Sequence, residues 1–269
     1  MPNLPRSLKS ERDARLRTIA DPIRSAFYLN AGAERKAMPH IDVSKTRYLF
    51  DGITGDLIPN EIAQAIRSFL AVENTYLSVA REIATRLENL NDELKVTMDR
   101  NPIQQIKTRV KTPKSIMDKL LRKDHEISVE SAKEHLDDIA GIRVVCSYID
   151  DIYLIANLLT AQSDIELIRR SDYIQNPKPN GYRSLHLVVT VPIFLSNTTE
   201  RVKAEIQIRT IAMDYWATLE HEMVYKMGDK KTDAIVKELK DNADVIAQTD
   251  VRMQKLHDMV SSPPKLIPL

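Results

Sequence analysis

The spacing of apolar residues changes twice along this chain, and this change constrains the fold more than any other feature. From residue 59 apolar side chains recur every seven positions, which is typical of a long amphipathic helix. These side chains are Ile62, Phe69, Tyr76, Ile83 and Leu90. Between Pro102 and Thr210 the period shortens to two, the spacing of β-strands, and beyond Thr210 it lengthens again. This order predicts a β-sheet flanked by long N- and C-terminal helices.

Five segments between the long helices alternate as strands do. They are Gln105–Lys111, Ile139–Tyr148, Ile165–Tyr173, Ser184–Val191 and Val202–Arg209. Helical segments follow the first, second and fifth strands: Pro113–Lys123, Asp151–Gln162 and Ile211–Lys226. Thr112 is the expected N-cap of the first, with Pro113 at its first position. The order predicts an α+β fold with a mixed β-sheet of about five strands, in which hairpins join the last three strands and crossovers follow the first two.

The pattern divides the chain into three parts. Residues 1–58 form an N-terminal extension that is partly helical, residues 59–228 form a domain with a leading helix, and residues 229–269 form a C-terminal helix. In that last helix a narrow apolar stripe indicates a partner helix. The stripe consists of Leu239, Ile246, Met253 and Val260. Two partners fit it: a second copy of the chain, which would make the helix an oligomerisation element, and the long helix at residues 62–94.

Composition excludes several classes of protein. The 39 Lys and Arg residues are balanced by 38 Asp and Glu residues, which argues against bulk coating of nucleic acid. A single cysteine, Cys146, excludes a disulfide-stapled or Cys-ligated zinc protein. No apolar run approaches the ~20 residues of a membrane span, and the N-terminus has no apolar segment of the kind that directs export. We therefore expect a cytoplasmic protein with no membrane association.

A dense cluster of cations lies between residues 107 and 123. It comprises Lys107, Arg109, Lys111, Lys114, Lys119, Arg122 and Lys123. A solvated basic face would give the same run of charge. Two details favour polyphosphate binding: Arg109 and Lys111 share one face of a strand, and three polar side chains share one face of the next helix. Those three are Ser115, Lys119 and Arg122. Because the chain has no G-x-x-x-x-G-K-[ST] loop, side chains must neutralise any bound triphosphate.

Carboxylates that could bind a metal lie on or beside two of the predicted strands. Glu205 is on the polar side of the last strand, although a sheet facing solvent would alternate in the same way. Asp137 and Asp138 precede a strand on which Arg143 points away from the apolar face. Strict alternation pairs Asp137 with Arg143, but Gly141 or the start of the strand could break the pleat, so both aspartates stay open. Two such carboxylates beside a basic face suit Mg²⁺ next to a nucleoside triphosphate.

A third cluster lies in the turn-rich segment at residues 176–186. Its Pro, Asn and Gly residues predict a loop that enters a strand. The structural interpretation is a hairpin in which the tyrosine has no role in binding. The functional interpretation is a binding loop, in which Tyr182 stacks on a base and Lys178, Arg183 and His186 are available for phosphates.

Four segments carry a resemblance to a known family. They are RVKTPKSIMDKL at 109–120, DIAGIRVVCSYIDDIY at 138–153, NPKPNGYRSLH at 176–186 and EIQIRTIAMDYWATLEH at 205–221. In this order they resemble the synthetase domain of the RelA/SpoT alarmone synthetases, the GTP pyrophosphokinases. The chain has no room for the hydrolase half of the long members, so it is most similar to a small alarmone synthetase. The resemblance implies a nucleotidyltransferase-like synthetase domain at residues 59–228 that transfers pyrophosphate from ATP to the ribose 3′-hydroxyl of GTP or GDP and releases AMP.

The same resemblance implies a role for each site residue. The ATP-binding residues are Arg109, Lys111, Ser115, Lys119, Arg122 and Arg143, of which the first and last sandwich the adenine. The residues for GTP or GDP are Lys178, Asn180, Tyr182, His186 and Gln207, with the tyrosine stacked on guanine. Asp138 ligates Mg²⁺, and Glu205 deprotonates the 3′-hydroxyl and assists the metal. At Asp214 some relatives carry an amide near the guanine edge, where an aspartate also accepts a hydrogen bond.

Other functions compatible with these residues stay open. Toxic small synthetases that resemble this chain pyrophosphorylate the 3′ end of tRNA, and a non-catalytic RNA-binding regulator is a third class. Retention of both Asp138 and Glu205 argues against the non-catalytic class. The resemblance further implies a homo-oligomer, a tetramer in the small synthetases, and admits (p)ppGpp or single-stranded RNA as a regulator.

Overall fold

The computed structural model describes residues 60–98, 100–227 and 232–261. The expectations for the N-terminal extension at residues 1–58 lie outside the described residues. Eleven elements follow in chain order: α1 Asn60–Met98, β1 Ile103–Val110, α2 Pro113–Arg122, α3 Val129–His135, β2 Ala140–Cys146, α4 Ile149–Thr160, β3 Glu166–Asp172, β4 Leu185–Phe194, β5 Thr199–Thr210, α5 Ile211–Met227 and α6 Asp233–Ser261.

The five strands form one mixed sheet in the order β1-β2-β5-β4-β3. Only β2 and β5 are parallel neighbours, and the hairpins that join β3, β4 and β5 confirm the predicted connection of the last three strands. The crossover expected after β1 is wrong, because β1 and β2 pair as antiparallel neighbours. Helix α4 does cross the sheet, from β2 to the far edge strand β3. The mixed α+β class is confirmed.

Local sequence explains where the helices begin. Thr112 caps α2 as predicted: its hydroxyl accepts a hydrogen bond from the Ser115 amide, and Pro113 occupies the first helical position. Helix α3 was not predicted, because seven residues are too few to show a helical period. Its N-cap, Ser128, accepts from the amide of Ser131.

One face of the sheet forms the apolar core with α1 and α4. The inward residues of β5 are buried as its alternation predicts: Val202, Ala204, Ile206 and Ile208. From α1, the side chains of Tyr76, Ile83 and Leu87 are buried in the same cluster. Helix α1 therefore packs on its own domain. The opposite face of the sheet is left for polar residues.

The C-terminal helix α6 packs on α5 and α4. Trp216 of α5 donates a hydrogen bond from Nε1 to the Leu239 carbonyl at 2.9 Å, and Ala243 and Ile246 of α6 pack around its ring. The first half of the predicted apolar stripe is thus covered within the chain, by α5 instead of the long helix α1. Further along, Met253 is 48% and Val260 85% exposed.

None of the helices in the described ranges is long and apolar enough to cross a membrane.

Candidate active site

The register of the strands aligns polar residues in two rows across the open face of the sheet. In the first row Arg109 lies opposite Gly141, and Gly141 lies opposite Glu205. Residues that face each other across a ladder share one side of the sheet. The glycine therefore leaves open space between the guanidinium group and the carboxylate. The second row consists of Lys107, Arg143, Gln207 and His186.

Asp138 lies between two lysines of the basic cluster, Lys111 and Lys119. Its Oδ2 atom is 2.6 Å from Lys119 Nζ and 3.1 Å from Lys111 Nζ. Burial alone raises the pKa of Asp138, but the two ammonium groups outweigh burial, and the pKa lies below its ordinary value. Its other oxygen, Oδ1, is buried and has no hydrogen-bond partner among the described residues. That oxygen is a free ligand for a cation.

The structure separates the two aspartates that the sequence could not distinguish. Asp137 forms ion pairs with Arg169 at 2.9 Å and with Lys203 at 3.3 Å, apart from the lysines that hold Asp138. The chain bends at Asp137 and again at Ile139, before β2 begins. Those bends break the alternation on which the sequence argument depended, so Asp138 and not Asp137 meets the basic cluster.

Glu205 is held by hydrogen bonds at both carboxylate oxygens. Its Oε1 lies 3.2 Å from His186 Nδ1, and its Oε2 accepts from Gln207 Nε2 at 2.9 Å. Burial opposes the charge of Glu205, and so does the nearby charge of Asp138. The hydrogen bonds from His186 and Gln207 outweigh both and hold the pKa of Glu205 below its ordinary value. The group is a carboxylate at neutral pH.

These contacts close into a ring that contains Arg209 and Tyr182. Arg209 Nη2 donates to Tyr182 Oη at 2.9 Å and to Gln207 Oε1 at 2.8 Å, and Tyr182 Oη lies 2.8 Å from His186 Nε2. Since Tyr182 Oη accepts from Arg209, its own proton is free for His186 Nε2, which leaves Nδ1–H to donate to Glu205. Every hydrogen bond in the ring is then donated in the direction that leads from the Arg209 guanidinium group to the Glu205 carboxylate.

Arg209 and Asp214 are the site residues whose contacts sequence reasoning missed. Asp214 Oδ1 lies 3.3 Å from Arg209 Nη1 and 3.4 Å from Arg143 Nη1, so one carboxylate joins both guanidinium groups. Arg209 is 2% exposed, and its Nε is buried with no hydrogen-bond partner among the described residues. The sequence signal was the position of Arg209 on the polar face of the predicted last strand, and the structure added its burial, which requires partners on that face.

The turn-rich segment 176–186 lies at the end of the second row. We call it the acceptor loop, after the role that the family resemblance implies for it. Lys178 Nζ is 4.6 Å from the ring centre of Tyr173 and 4.9 Å from that of Tyr182. Tyr173 is a further residue that the sequence did not single out. Asn180 donates to Glu220 at 3.2 Å, and its Oδ1 accepts from the Tyr182 amide.

The remaining predicted residues lie at the edge of this face. Ser115 and Arg122 are exposed on α2 and line an open cavity of about 510 Å³ together with Asp118 and Leu121. The structure thus brings Lys111, Lys119 and Asp138 into direct contact, and gathers Tyr182, His186, Glu205 and Gln207 in the ring. The side chains of Ser115 and Arg122 bond instead to Thr112 and to the Asp118 carbonyl, and form no hydrogen bond or ion pair with either group among the described residues.

A model of the region found in RelA/SpoT proteins matches residues 108–230. Over 169 residues the chain is 47% identical to GTP pyrophosphokinase YwaC of Bacillus subtilis, which covers 63% of this chain and 80% of that relative. The chain belongs to the RelA/SpoT family. The predicted family is therefore confirmed.

Solved structures of RelA/SpoT proteins share the fold. Small alarmone synthetase 2 of Bacillus subtilis matches with a TM-score of 0.65 and 41% identity, over 71% of this chain and 99% of that chain. Small alarmone synthetase 1 of the same organism, bound to its product pppGpp, matches with a TM-score of 0.64 and 32% identity, over 70% of this chain and 95% of that chain.

Proposed function

We propose that this RelA/SpoT enzyme is a (p)ppGpp synthetase, which transfers the β,γ-pyrophosphoryl group of ATP to the ribose 3′-hydroxyl of GTP or GDP. The observation that carries the proposal is the position of Glu205. Its charged carboxylate is fixed between His186 and Gln207 and faces the same side of the sheet as Arg109. The relatives are named GTP pyrophosphokinases, and one solved relative holds pppGpp.

The donor nucleotide belongs on the side of β1, β2 and α2. Arg109 and Arg143 are diagonal neighbours on one face, since Arg109 lies opposite Gly141. Such neighbours are about 7–8 Å apart, roughly twice a van der Waals contact, so an adenine ring fits between them. Lys111 and Lys119 then meet the phosphates, and Ser115 and Arg122 extend the same cradle along the cavity on α2.

The acceptor nucleotide belongs on the side of β4 and the acceptor loop. Tyr182 offers guanine a ring whose orientation is fixed by Arg209 and His186. Lys178 lies against that ring and has to leave one face before a base stacks there. Asn180, His186 and Gln207 complete the acceptor site around the Glu205 carboxylate.

The two carboxylates fit a divalent cation, and we assign them to Mg²⁺. Across the described parts of the chain no three His, Cys, Asp or Glu side chains form a ready-made metal cage. Mg²⁺ does not need one, because it commonly binds one or two carboxylates together with substrate phosphates. Asp138 offers its unpartnered Oδ1. Glu205 lies close enough for the charge of Asp138 to oppose its ionisation. When bound, the cation supplies neutralisation of the charge on the transferred phosphates.

The reaction requires one proton to move, and Glu205 takes it. The 3′-oxygen of the acceptor forms a bond to the β-phosphorus of ATP while the bond between that phosphorus and the AMP oxygen breaks. The proton of the 3′-hydroxyl passes to Glu205. Lys111 and Lys119 hold the phosphates in line, and positioning with charge neutralisation is the main source of rate in phosphoryl transfer.

The enzyme is expected to act in the cytoplasm as a homo-oligomer, with α6 as the oligomerisation element and a tetramer as the expected form. What supports this is the outer half of the α6 stripe, where Met253 and Val260 are exposed, together with the exposed Leu256 between them. Burial of these apolar side chains by a partner subunit would contribute about 0.8 kcal/mol of favourable free energy for each methylene.

Transfer of label tests the proposal directly. The protein is incubated with γ-labelled ATP and, in separate reactions, GTP, GDP or deacylated tRNA. Label is expected to appear in the guanine nucleotides, with AMP as the second product. Label in tRNA alone would show that tRNA, and not GTP or GDP, is the acceptor. Release of labelled phosphate without any labelled acceptor would refute the synthetase reaction.

A further inference from the structure

The acceptor loop rests directly on the C-terminal helix α6. Gly181 has φ of +89°, and a Cβ built there would lie 2.6 Å from the Cβ of Ala243 and 3.5 Å from the Cα of Lys240. That φ and that separation both exclude a side chain at position 181. The backbone of the loop is therefore packed against the surface of the helix.

Arg183 fastens the loop to the same helix turn. Its Nη1 donates to the carbonyls of Gly181 at 3.0 Å and of Ala243 at 3.3 Å, and its Nη2 donates to Asp244 Oδ1 at 2.9 Å. One guanidinium group thus holds a loop carbonyl, a helix carbonyl and a helix carboxylate. The sequence interpretation made Arg183 available for phosphates, but the structure turns it towards α6.

Helix α6 also supports the ring of the loop tyrosine. Ala243, buried beneath Gly181, belongs to a small apolar cluster with Trp216 and Ala217 of α5, and Tyr182 packs against that cluster. A shift of α6 would therefore move both the backbone of the loop and the ring of Tyr182.

We propose that Arg183 and Asp244 are positioning residues, through which α6 sets the affinity of the enzyme for the acceptor nucleotide. Among the described residues, none of those predicted to bind ATP forms a hydrogen bond or ion pair with Arg183 or Asp244, so we expect ATP binding to change little when this pair is removed. The inference rests on the proposed assignment of the acceptor loop to GTP or GDP. It gives α6 a part in acceptor binding in addition to any part in assembly.

We call the contact between Arg183 and Asp244 the clamp. Its loss is expected to weaken binding of the acceptor nucleotide selectively. In Asp244→Ala the loop loses its charged partner, and we expect the KM for GTP and GDP to rise about three- to tenfold, in the lower part of the range for coupled contacting residues. The KM for ATP and kcat at saturating substrates should change less than twofold. The matched control is Lys240→Ala, because Lys240 contacts the other oxygen of Asp244 at 2.9 Å but belongs to α6 itself. This control should leave both KM values unchanged.

A double-mutant cycle separates the clamp from general damage to the helix. Arg183→Met and Asp244→Ala are measured singly and together. If the two side chains act through one contact, the double variant raises the acceptor KM no further than the stronger single variant. Additive effects, or a parallel rise in the KM for ATP, would overturn the proposal. Thermal unfolding of each variant shows whether the fold is intact.

Tyr182→Ala distinguishes failure of this inference from failure of the loop assignment. Stacking on an aromatic ring is worth about 1–3 kcal/mol, so this variant should raise the acceptor KM roughly 5- to 150-fold with little change for ATP. If it weakens both nucleotides equally, the assignment of the loop is wrong. If it behaves as expected while Asp244→Ala leaves the acceptor KM unchanged, the clamp alone is refuted.

Discussion

At the scale of single residues, the candidate site depends on how one carboxylate is kept charged and oriented. Glu205 receives a hydrogen bond at each oxygen, and both donors belong to a ring anchored by the buried Arg209. A base fixed in this way does not have to be reorganised when the acceptor hydroxyl arrives. Asp138, by contrast, is held by lysines that also belong to the predicted phosphate cradle.

Replacement of Glu205 by glutamine should nearly abolish turnover and leave ATP binding almost unchanged. The variant keeps the shape of the side chain but cannot accept the proton, and a general base contributes about 10²- to 10⁴-fold. Initial rates and calorimetric titration with a non-hydrolysable ATP analogue measure the two effects. More than a tenth of the wild-type rate would show that Glu205 is not the base.

Removal of a hydrogen-bond donor to Glu205 should shift the acid limb of the pH profile upwards. The pKa of Glu205 is lowered, so the carboxylate stays ionised until the pH falls below the ordinary value of 4.5. In Gln207→Leu the charged form loses one donor, its pKa rises, and kcat should begin to fall at a higher pH than in the wild type.

The control for this pH profile is Arg201→Gln, which alters an exposed cation of the same strand. Its acid limb should coincide with that of the wild type. An unchanged limb in Gln207→Leu would mean that another group controls the profile.

At the scale of elements, the junction of β5 and α5 is fixed by a single hydroxyl. Thr210 Oγ1 accepts from the Met213 amide at 3.1 Å, as an N-cap does, and donates to Asp250 Oδ2 at 2.5 Å. Burial raises the pKa of Asp250, while the Thr210 hydrogen bond stabilises its charged form. The hydroxyl thus joins β5, α5 and α6.

Thr210→Val should therefore destabilise the protein by about 2–4 kcal/mol at neutral pH. The loss combines the cap, about 1 kcal/mol, with an Asp250 carboxylate left without its donor, about 1–3 kcal/mol. Because protonation removes the charge, the loss should shrink as pH falls through the raised pKa of Asp250. Urea unfolding at two pH values measures it.

Two further variants control the Thr210 measurement. Thr249→Val on α6 removes a hydroxyl that donates only to a carbonyl of its own helix, and it should cost less than 0.5 kcal/mol by the same assay. Asp250→Asn in the Thr210→Val background should recover part of the stability, because a neutral amide is less costly to bury. A single variant as stable as the wild type would contradict the role of the junction.

At the scale of the whole molecule, the uncovered half of α6 bears on assembly. Ile246 packs near Trp216 inside the chain, so its replacement would disturb the acceptor side of the fold. Met253 and Val260 are exposed, and the double variant Met253→Asp with Val260→Asp should lower the mass seen in light scattering while leaving the circular dichroism spectrum unchanged.

Val96→Asp is the matched control for the assembly experiment, because Val96 is as exposed as Val260, at 85%, but belongs to α1 and not to the α6 stripe. It should leave the mass unchanged. A wild-type protein that is already monomeric at micromolar concentration would refute the homo-oligomer, and the α6 stripe would then have no partner subunit.

The sequence by itself determined which side chains face together within each element. Alternation along β5 assigned Glu205 to the polar side and Ile206 to the core, and the capping residues located the start of α2. Such relations depend on the period of the backbone, which local sequence sets. The four motif segments likewise identified the family.

Only the tertiary structure decided which residues from distant segments meet. The choice of Asp138 over Asp137, the ring through Arg209, and the turn of Arg183 towards Asp244 all depend on the register between elements. So does the antiparallel pairing of β1 with β2. Register is set by the packing of the whole core and by backbone bends, and no single segment contains that information.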